Sequence, residues 1–245
     1  MCKTTSKQFL EHVASQHHSA VVKGWEKLYE KKQSYLYEVL KRHFVLGSAL
    51  ELGCGDGTIT RKMCEDFESV TVVEGSKVFI KEARERVKAS NLRFVNTLFE
   101  EFTSSERFNT IFMAHILEHL DVPVKLLGRS KRWLATDGKV LIVVPNANSL
   151  HRLVGVKLGM LKRKDELDKG DRLVGHKRVY TPQLLWQHVR KAGFRIIYNG
   201  GCMLKPLSNR QMESWSSELI EAFFAVGEDM PELCSEIYAI CILKN

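Results

Sequence analysis

Short apolar runs rich in β-branched residues alternate with helical patterns from position 48 onward. Alternation of this kind is typical of strands that lie side by side in a largely parallel sheet, with helices packed on both faces. We therefore predict a doubly wound, Rossmann-like α/β fold with seven strands, mostly parallel, and no helix of ordinary length between the last two. The predicted strands are Ser48–Leu52, Val70–Glu74, Arg93–Val95, Thr110–Ala114, Lys139–Pro145, Phe194–Tyr198 and Glu236–Leu243.

Helix start signals stand between several of these runs. Ser76 is placed to cap a helix after the second predicted strand, because a serine oxygen can accept the first free backbone amides. Thr181 followed by Pro182 predicts a second start, with proline at the first helical position, and this helix is expected to end at Gly193. Residues Val122–Trp133 form a further predicted packing helix.

Two segments fall outside the alternation of strands and helices. Residues 1–45 are predicted to be helical, and residues 149–178 interrupt the pattern after the fifth predicted strand. We predict a helical cap over residues 1–45 and an α/β domain over residues 46–245 that carries 149–178 as a lid-like insertion. Open α/β sheets bind ligands beyond the carboxyl ends of their strands, where this insertion starts.

Composition and charge change this picture in one respect. The 245 residues are 44% hydrophobic and 27% charged, which excludes a disordered or low-complexity chain. The formal net charge of +8 is concentrated in the cap and the insertion: residues 1–49 carry eight Lys or Arg against four Glu, and residues 151–180 carry nine against four acids. Residues 211–245 carry one Lys against seven acids. This distribution favours a basic lid over a ligand site more than a nucleic-acid surface.

Several absences narrow the class of protein. No window approaches the roughly 18 apolar residues that a membrane-spanning helix needs, and the first residues lack the apolar core of a signal peptide. We expect a cytoplasmic protein with no membrane partner. The cysteines form no C-x-x-C pair, so we expect reduced, mostly buried thiols and no metal site. They are Cys2, Cys54, Cys64, Cys202, Cys234 and Cys241.

A glycine-rich turn follows the first predicted strand and opens a helix. It reads Glu51-Leu52-Gly53-Cys54-Gly55-Asp56-Gly57. Glycines permit a tight turn and let a ligand approach the backbone closely. The third glycine follows the second by two residues, whereas in the dinucleotide-binding fingerprint it follows by three. Glu74 ends the second predicted strand, where a carboxylate can accept hydrogen bonds from both hydroxyls of a ribose.

With these motifs in this order, the chain resembles the class I S-adenosylmethionine-dependent methyltransferases. Their glycine turn looks like Glu51–Gly57, their ribose-binding acid like Glu74, and the segment after their fourth strand like His115–Leu120. The later stretch His176–Phe194 is similar to the ubiquinone-biosynthesis type of small-molecule O-methyltransferase. The resemblance covers roughly residues 45–200.

The resemblance implies S-adenosyl-L-methionine as the cofactor and S-adenosyl-L-homocysteine as the product. Many members carry an aspartate after the third strand for the adenine amino group, but this chain has Leu98 and Phe99 there. Adenine selection would then fall to backbone groups around these two residues. The positions that would contact the cofactor are Glu51, Gly53, Gly55, Asp56, Glu74, Leu98, Phe99, Ala114 and His115.

The acceptor is narrowed mainly by what is missing. The segment after the fourth strand contains no Asn/Asp-Pro-Pro-Tyr, the arrangement that grips an amino group in nucleic-acid and glutamine N-methyltransferases, and the chain has no Pro-Cys nucleophile. We therefore expect methyl transfer to a small molecule, at an oxygen atom. A neutral hydroxyl acceptor needs a base, and His119 is the first candidate and His115 the second.

The basic segments indicate which residues could contact the acceptor. An arginine can grip a carboxylate, phosphate or phosphonate with two hydrogen bonds, so an anionic acceptor is expected. The candidate substrate-binding residues are Tyr29, His119, Arg152, Arg172 and His176. Three alternatives stay open: N-methylation of an amino sugar or other amine, a nucleic-acid methyltransferase or binder, and a cofactor-binding scaffold without activity. The sequence does not indicate an oligomeric state.

Overall fold

A single seven-stranded sheet forms the centre of the molecule in the computed structural model, which describes residues 3–16 and 23–244. Its strands are β1 (Ser48–Leu52), β2 (Ser69–Glu74), β3 (Leu92–Asn96), β4 (Phe108–Ala114), β5 (Leu134–Pro145), β6 (Phe194–Cys202) and β7 (Glu236–Leu243). They lie in the order β3-β2-β1-β4-β5-β7-β6. Strands β1 to β5 are parallel, and β7 is antiparallel to both of its neighbours. The predicted fold class is confirmed.

Helices surround the sheet on both faces and precede it in the chain. They are α1 (Lys3–Gln16), α2 (Glu26–Lys41), α3 (Thr58–Asp66), α4 (Lys77–Arg86), α5 (Pro123–Ser130), α6 (Leu150–Lys157), α7 (Lys169–Leu173), α8 (Pro182–Lys191), α9 (Asn209–Met212) and α10 (Ser217–Asp229). Helices α1 and α2 lie in the predicted cap, and α6 and α7 lie in the predicted insertion.

One expectation about the helices was wrong. Helix α10, with 13 residues, lies between β6 and β7, where no helix of ordinary length was predicted. It buries Ile220 and Phe224, but Leu219 and Val226 are almost half exposed. Because apolar residues occur on its exposed side as well, the helix lacks a clean apolar stripe.

The predicted helix starts at Ser76 and Thr181 are confirmed. The hydroxyl oxygen of Ser76 accepts hydrogen bonds from the amides of Val78 and Phe79, at 3.1 and 3.3 Å. Thr181 accepts from the amide of Leu184 at 3.2 Å. Such caps satisfy amides that have no partner within the helix, which sets where α4 and α8 begin.

The hydrophobic core lies in two layers, one on each face of the sheet. One layer packs α5 and α8 against the strands, for example through Leu127 and Val189. The other packs α2, α3 and α10 through residues such as Leu40, Met63 and Phe224. Burial of both faces explains why the central strands are nearly continuous runs of apolar residues.

The carboxyl ends of the parallel strands share one edge of the sheet with the start of β7. Pro145 at the end of β5 pairs with Glu236, the first residue of β7, and Cys202 at the end of β6 pairs with Glu236 on its other side. The glycine turn, the loop after β4, the α6–α7 insertion and the loop after β6 therefore all begin at this edge. Open α/β sheets place ligand sites there.

Two further expectations concern helices and cysteines. Within residues 3–16 and 23–244, no helix is long and apolar enough to cross a bilayer. Cys54, Cys202, Cys234 and Cys241 are buried free thiols and Cys64 is a half-buried one. The expectation for Cys2 lies outside the described residues.

Candidate active site

The glycine turn between β1 and α3 needs glycine at three positions. Gly53, Gly55 and Gly57 have φ angles of 77°, 49° and 83°, a region that residues with a Cβ rarely adopt. A Cβ on Gly57 would lie 2.8 Å from Cα of Ala83 in α4, and a Cβ on Gly53 would lie 2.6 Å from Cδ1 of Ile116. A Cβ on Gly55 would meet no atom within 4 Å. The backbone of Gly55 therefore borders open space where a ligand can lie.

Two buried carboxyl groups flank this turn, and they have different surroundings. Glu51, at 2% exposure, accepts a hydrogen bond from the hydroxyl of Thr60 at 2.6 Å, and burial raises its pKa to about 8. Glu74 accepts from the amide of Ser76 at 2.7 Å and from the amide of Cys54 in the turn. Burial raises the pKa of Glu74 more than these amides lower it. Glu51 thus supports the turn from beneath, and Glu74 closes its side.

Asp56 is held mainly by its own helix. Its carboxylate accepts from the amide and the hydroxyl of Thr58, both at 3.0 Å, and pairs with Nη2 of Arg86 at 3.1 Å. Tyr29 of α2 is hydrogen-bonded to the same carboxylate, and the pKa of this tyrosine is raised by burial and by the Asp56 charge. Tyr29 therefore lies against the glycine turn, which places the start of α2 beside this turn.

Apolar side chains line the groove beside Glu74. A Cβ placed on Gly75 would lie 3.1 Å from Cδ1 of Leu10 in α1 and 3.2 Å from Cδ2 of Leu98. Phe99 reaches the other end, with Cζ 3.7 Å from a Cβ placed on Gly53. Leu98 thus lies beside the residue that follows Glu74, and Phe99 lies beside the glycine turn.

His115, directly after Ala114 at the end of β4, is held between two carboxylates. Its backbone has a φ of 56°, and its amide donates to the carbonyl of Val143 at 3.0 Å. Its Nδ1 lies 3.2 Å from Glu118 and its Nε2 lies 3.3 Å from Glu236. Burial would lower the pKa of this ring, but the two carboxylates outweigh burial and raise the pKa to about 10. A ring that already carries both protons cannot accept another, so this geometry contradicts the prediction of His115 as a base.

The pKa of His119 is shifted in the opposite direction from that of His115. Burial, together with the charges of His176 and His115, lowers its pKa to about 4 against the effect of Glu118. Its ring is hydrogen-bonded to the backbone of Gly175 and lies 4.8 Å, centroid to centroid, from the ring of His176. His119 is therefore neutral near pH 7 and half-buried at the mouth of the site.

Glu118, His119 and His176 converge into a group that could hold a metal ion. One ligand atom from each lies within 4.8 Å of the others. His176 Nδ1 is 2.8 Å from Asp171 Oδ1, the arrangement that often orients a metal-bound histidine. The sequence predicted no metal site, because His176 lies far along the chain from the other two residues and reaches them only through the insertion.

Two of the predicted substrate-binding residues have other surroundings. Arg152 is buried inside the insertion, where Nε donates to the carbonyl of Lys164 at 2.7 Å and Nη1 lies 3.1 Å from Asp171. It also bonds the carbonyl of Glu166. Arg152 thus holds the insertion together, which contradicts its assignment to the acceptor. The side chain of Arg172 is exposed and has no hydrogen bond or ion pair with the residues that the structure describes.

Part of the positive charge of the predicted cap is paired with the acidic tail. Arg42 pairs with Glu228 at 2.6 Å, and Lys31 pairs with Glu221. Tyr35 donates to Glu228 at 2.9 Å. Helix α2 and the residue that follows it are therefore attached to α10 by opposite charges.

Sequence reasoning missed a pair of buried charges at this edge. Glu236 is buried, with Oε1 3.1 Å from Nζ of Lys32. Lys205, at 8% exposure, donates to Oδ1 of Asn209 at 2.6 Å. A signal existed for each: Glu236 opens a strand that is otherwise apolar, and Lys205 stands inside the stretch Met203-Leu204-Lys205-Pro206-Leu207. A charged residue in such surroundings is often functional.

Comparison with known proteins identifies the family to which the chain belongs. Residues 25–199 match the methyltransferase-domain family. The ubiquinone biosynthesis O-methyltransferase of Rhodopseudomonas palustris (strain BisB5) is 26% identical over 190 residues, which cover 74% of this chain and 71% of that protein.

Solved structures share the fold across nearly the whole chain. The N-methyltransferase NodS from Bradyrhizobium japonicum WM9, in complex with S-adenosyl-L-homocysteine, has a TM-score of 0.62 and 15% identity, covering 98% of this chain and 99% of that one. DhpI in complex with SAH also has a TM-score of 0.62, with 17% identity and coverage of 98% and 96%. Since the family match covers well over half of the sequence, the chain belongs to the methyltransferase-domain family and is a methyltransferase that uses S-adenosylmethionine.

Proposed function

We propose that the protein methylates an oxygen atom of a small molecule that carries an anionic group. The observation that carries the proposal is the pair of histidines after β4. His119 is neutral and opens toward the edge of the sheet, whereas His115 is locked as a cation between Glu118 and Glu236. Only one of the two is therefore free to take a proton from an acceptor.

The residues around the glycine turn fit the cofactor. Space at Gly55 admits a ligand against the backbone, the Glu74 carboxylate stands at the end of β2, and Leu98 and Phe99 provide an apolar wall. We assign Glu74 to the ribose hydroxyls and the wall to the adenine ring. When bound, S-adenosylmethionine supplies a methyl group already activated by its sulfonium sulfur.

The protein's own part is then to align the acceptor and exclude water. Tyr29 fixes the start of α2 above the glycine turn, and the insertion brings His176 next to His119. These two elements lie on opposite sides of the carboxyl edge. They support a cap that closes over the reacting atoms.

His119 would act as the base. A ring bond to the backbone of Gly175 fixes its orientation and leaves the second nitrogen to accept a proton. A histidine with a pKa of about 4 is a weak base, so it suits a hydroxyl that is already acidic, such as a phenol. An ionised carboxylate has no proton to remove and would need no base.

A second candidate is methyl transfer to an amine. Glu118 Oε2 is buried without a hydrogen-bond partner among the described residues, and an acceptor ammonium or amine could donate to it. NodS, one of the structures with this fold, is an N-methyltransferase. This reading predicts that the acceptor approaches Glu118 and not His119.

A transfer assay with radiolabelled S-adenosylmethionine separates these readings. The panel would contain phenols, carboxylic acids, phosphonates, sugars and amines, with His119→Asn and Glu118→Gln measured on every active acceptor. We expect label on an oxygen and a loss of turnover in His119→Asn. Label only on nitrogen, or binding of S-adenosylhomocysteine without transfer to any acceptor, would contradict the proposal.

A further inference from the structure

Buried polar atoms without a hydrogen-bond partner are concentrated at one place in the described part of the chain. Five of the seven belong to residues after β4, after β5 or just before β7, all at the carboxyl edge of the sheet; of the other two, Arg129 Nε lies in α5, and Glu236 Oε2 lies 3.3 Å from Nε2 of His115. The five are Glu118 Oε2, Asn148 Oδ1, Ser149 Oγ, His151 Nδ1 and Ser235 Oγ. Folded proteins satisfy nearly all such atoms, so a cluster of them indicates where a ligand completes the bonding.

The buried charges at the same edge do not balance. Lys32 is paired with Glu236, and Arg152 is paired with Asp171. Lys205 is as buried as these groups, but its only polar partner within the described residues is the neutral amide of Asn209. A buried ammonium without a carboxylate is costly, and an anion placed beside it removes that cost.

Lys205 also stands close to other donors. The charges of Lys32 and Arg152 both act on it. The same two cations and Lys205 also act on His151. Burial and these charges lower the pKa of His151 to about 2, so its ring is neutral. Its Nδ1 has no hydrogen-bond partner among the described residues. The neutral His151 ring can donate one hydrogen bond. A buried ring nitrogen without a partner thus lies within the field of three positively charged side chains.

We propose that Lys205, with Lys32 and His151, forms a subsite for an oxyanion of the acceptor, namely a phosphate, phosphonate or carboxylate group. This inference rests on the proposed function and names the residues that the basic lid was expected to supply. It replaces Arg152 and Arg172 with Lys32 and His151 of the two basic segments and with Lys205, which the sequence did not single out.

The position in the sheet favours the acceptor over the cofactor as the ligand of this subsite. Glu236, which holds Lys32, starts a strand that is three places from β1 in the sheet. At a spacing of about 4.8 Å between neighbouring strands, that is roughly 14 Å from the glycine turn. His115 lies between, and its ring touches Glu236. The subsite therefore stands on the far side of the reacting atoms from the ribose.

Calorimetry on the full chain tests the subsite. The protein is first saturated with S-adenosylhomocysteine, and inorganic phosphate, methylphosphonate or acetate is then titrated in at constant ionic strength, with chloride as the reference. We expect at least one of the three oxyanions to bind with a millimolar or lower Kd. The one that binds most tightly identifies the kind of anionic group. Lys205→Met should weaken that binding at least tenfold, while Lys164→Met, which removes an exposed lysine of the insertion, should not.

The two binding measurements distinguish the separate conclusions. Affinity for S-adenosylhomocysteine reports on the methyltransferase site. If the wild-type protein does not bind S-adenosylhomocysteine, the proposed function is contradicted. If Lys205→Met weakens S-adenosylhomocysteine instead of the oxyanion, the lysine serves the cofactor carboxylate and the subsite is wrong. Equal oxyanion affinity in wild type and in both Lys205→Met and Lys205→Gln would also overturn it, and circular dichroism confirms that each variant is folded.

Discussion

Glu11 in α1 accepts a hydrogen bond from the hydroxyl of Ser76 at 2.7 Å, and it also accepts from the amide of Lys77 at 2.8 Å. The amide of the same Ser76 donates to Glu74 at the end of β2. One serine thus joins the first helix of the cap to the carboxylate that we assign to the ribose. Closure of α1 and binding of the cofactor are therefore expected to be coupled.

Replacing Glu11 tests this coupling. Glu11→Ala removes three charge-assisted bonds to the start of α4, so we expect S-adenosylhomocysteine to bind about 3- to 10-fold more weakly, in line with the roughly 1 kcal/mol of a helix cap. Burial raises the pKa of Glu11, but its bonds to Lys77, Ser76 and Val78 outweigh burial and lower it. The contribution is then complete above the ordinary pKa of 4.5 and is lost as the pH falls through the lowered value. Calorimetry at pH 7 and at acidic pH measures this. We expect the S-adenosylhomocysteine affinity of wild type to approach that of Glu11→Ala as the pH falls. A ratio of the two affinities that does not change with pH would contradict the coupling.

The two carboxyl groups beside the glycine turn, Glu74 and Glu51, are predicted to respond differently to the same substitution. Glu74→Gln should weaken S-adenosylhomocysteine about tenfold or more, because an amide accepts fewer hydrogen bonds than a carboxylate where charged bonds contribute about 1.5–3 kcal/mol. Glu51→Gln should leave the affinity within about twofold at pH 7. With a pKa of about 8, Glu51 is already protonated there, and glutamine can keep the bond from Thr60. A larger loss in Glu51→Gln than in Glu74→Gln would reverse the two assignments.

The sequence predicted the fold well because its signals are local. Every predicted strand overlaps an observed one, and the inner strands, which are buried on both faces, are marked by apolar runs. Ser76 and Thr181 were found as caps for the same reason. The sequence did not predict the partners of Arg152 or the burial of Lys205. Both depend on how the insertion, α2 and the segment after β6 pack against one another. Local sequence patterns do not predict such tertiary contacts.

The second and third glycines of the turn are predicted to fail in different ways. Gly57→Ala would drive a Cβ to 2.8 Å from the backbone of Ala83, so we expect a clear drop in thermal stability. Gly55→Ala meets open space, and its cost in folding is limited to about 1 kcal/mol of backbone strain at positive φ. Its methyl group would stand in the cofactor space, so affinity for S-adenosylhomocysteine should fall more than stability does. Thermal unfolding with and without S-adenosylhomocysteine measures both. Normal cofactor binding by a folded Gly55→Ala would show that the turn does not face the cofactor.

His119 is predicted to affect turnover without affecting the cofactor. His119→Asn should lower kcat about 100-fold on a hydroxyl acceptor, the usual contribution of a general base, and leave S-adenosylhomocysteine affinity unchanged. Because the pKa of His119 is lowered to about 4, this group should not limit the rate between pH 6 and 9. His12→Asn, on the exposed side of α1, is the control. If His119→Asn retains full kcat on the acceptor found in the transfer assay, the base role is wrong.

Lys205 also makes a prediction about stability that needs no acceptor. Burial and the charges of Lys32 and Arg152 lower its pKa to about 7, against the opposing effects of Glu236 and Asp168. In the unfolded chain the lysine regains its ordinary pKa of 10.5, so between pH 7 and 10.5 the unfolded state binds the extra proton and wild type becomes more stable as the pH rises. Lys205→Met lacks this group. We expect the variant to be more stable than wild type at pH 7, and the difference in the free energy of unfolding to shrink by up to about 1.4 kcal/mol per pH unit toward pH 10. Urea unfolding at pH 7, 8.5 and 10 measures it, with Lys164→Met as the matched lysine. Parallel pH curves for wild type and Lys205→Met would show that the lysine keeps its ordinary pKa. The charge of Lys205 would then already be balanced in the free protein, which would contradict the oxyanion subsite.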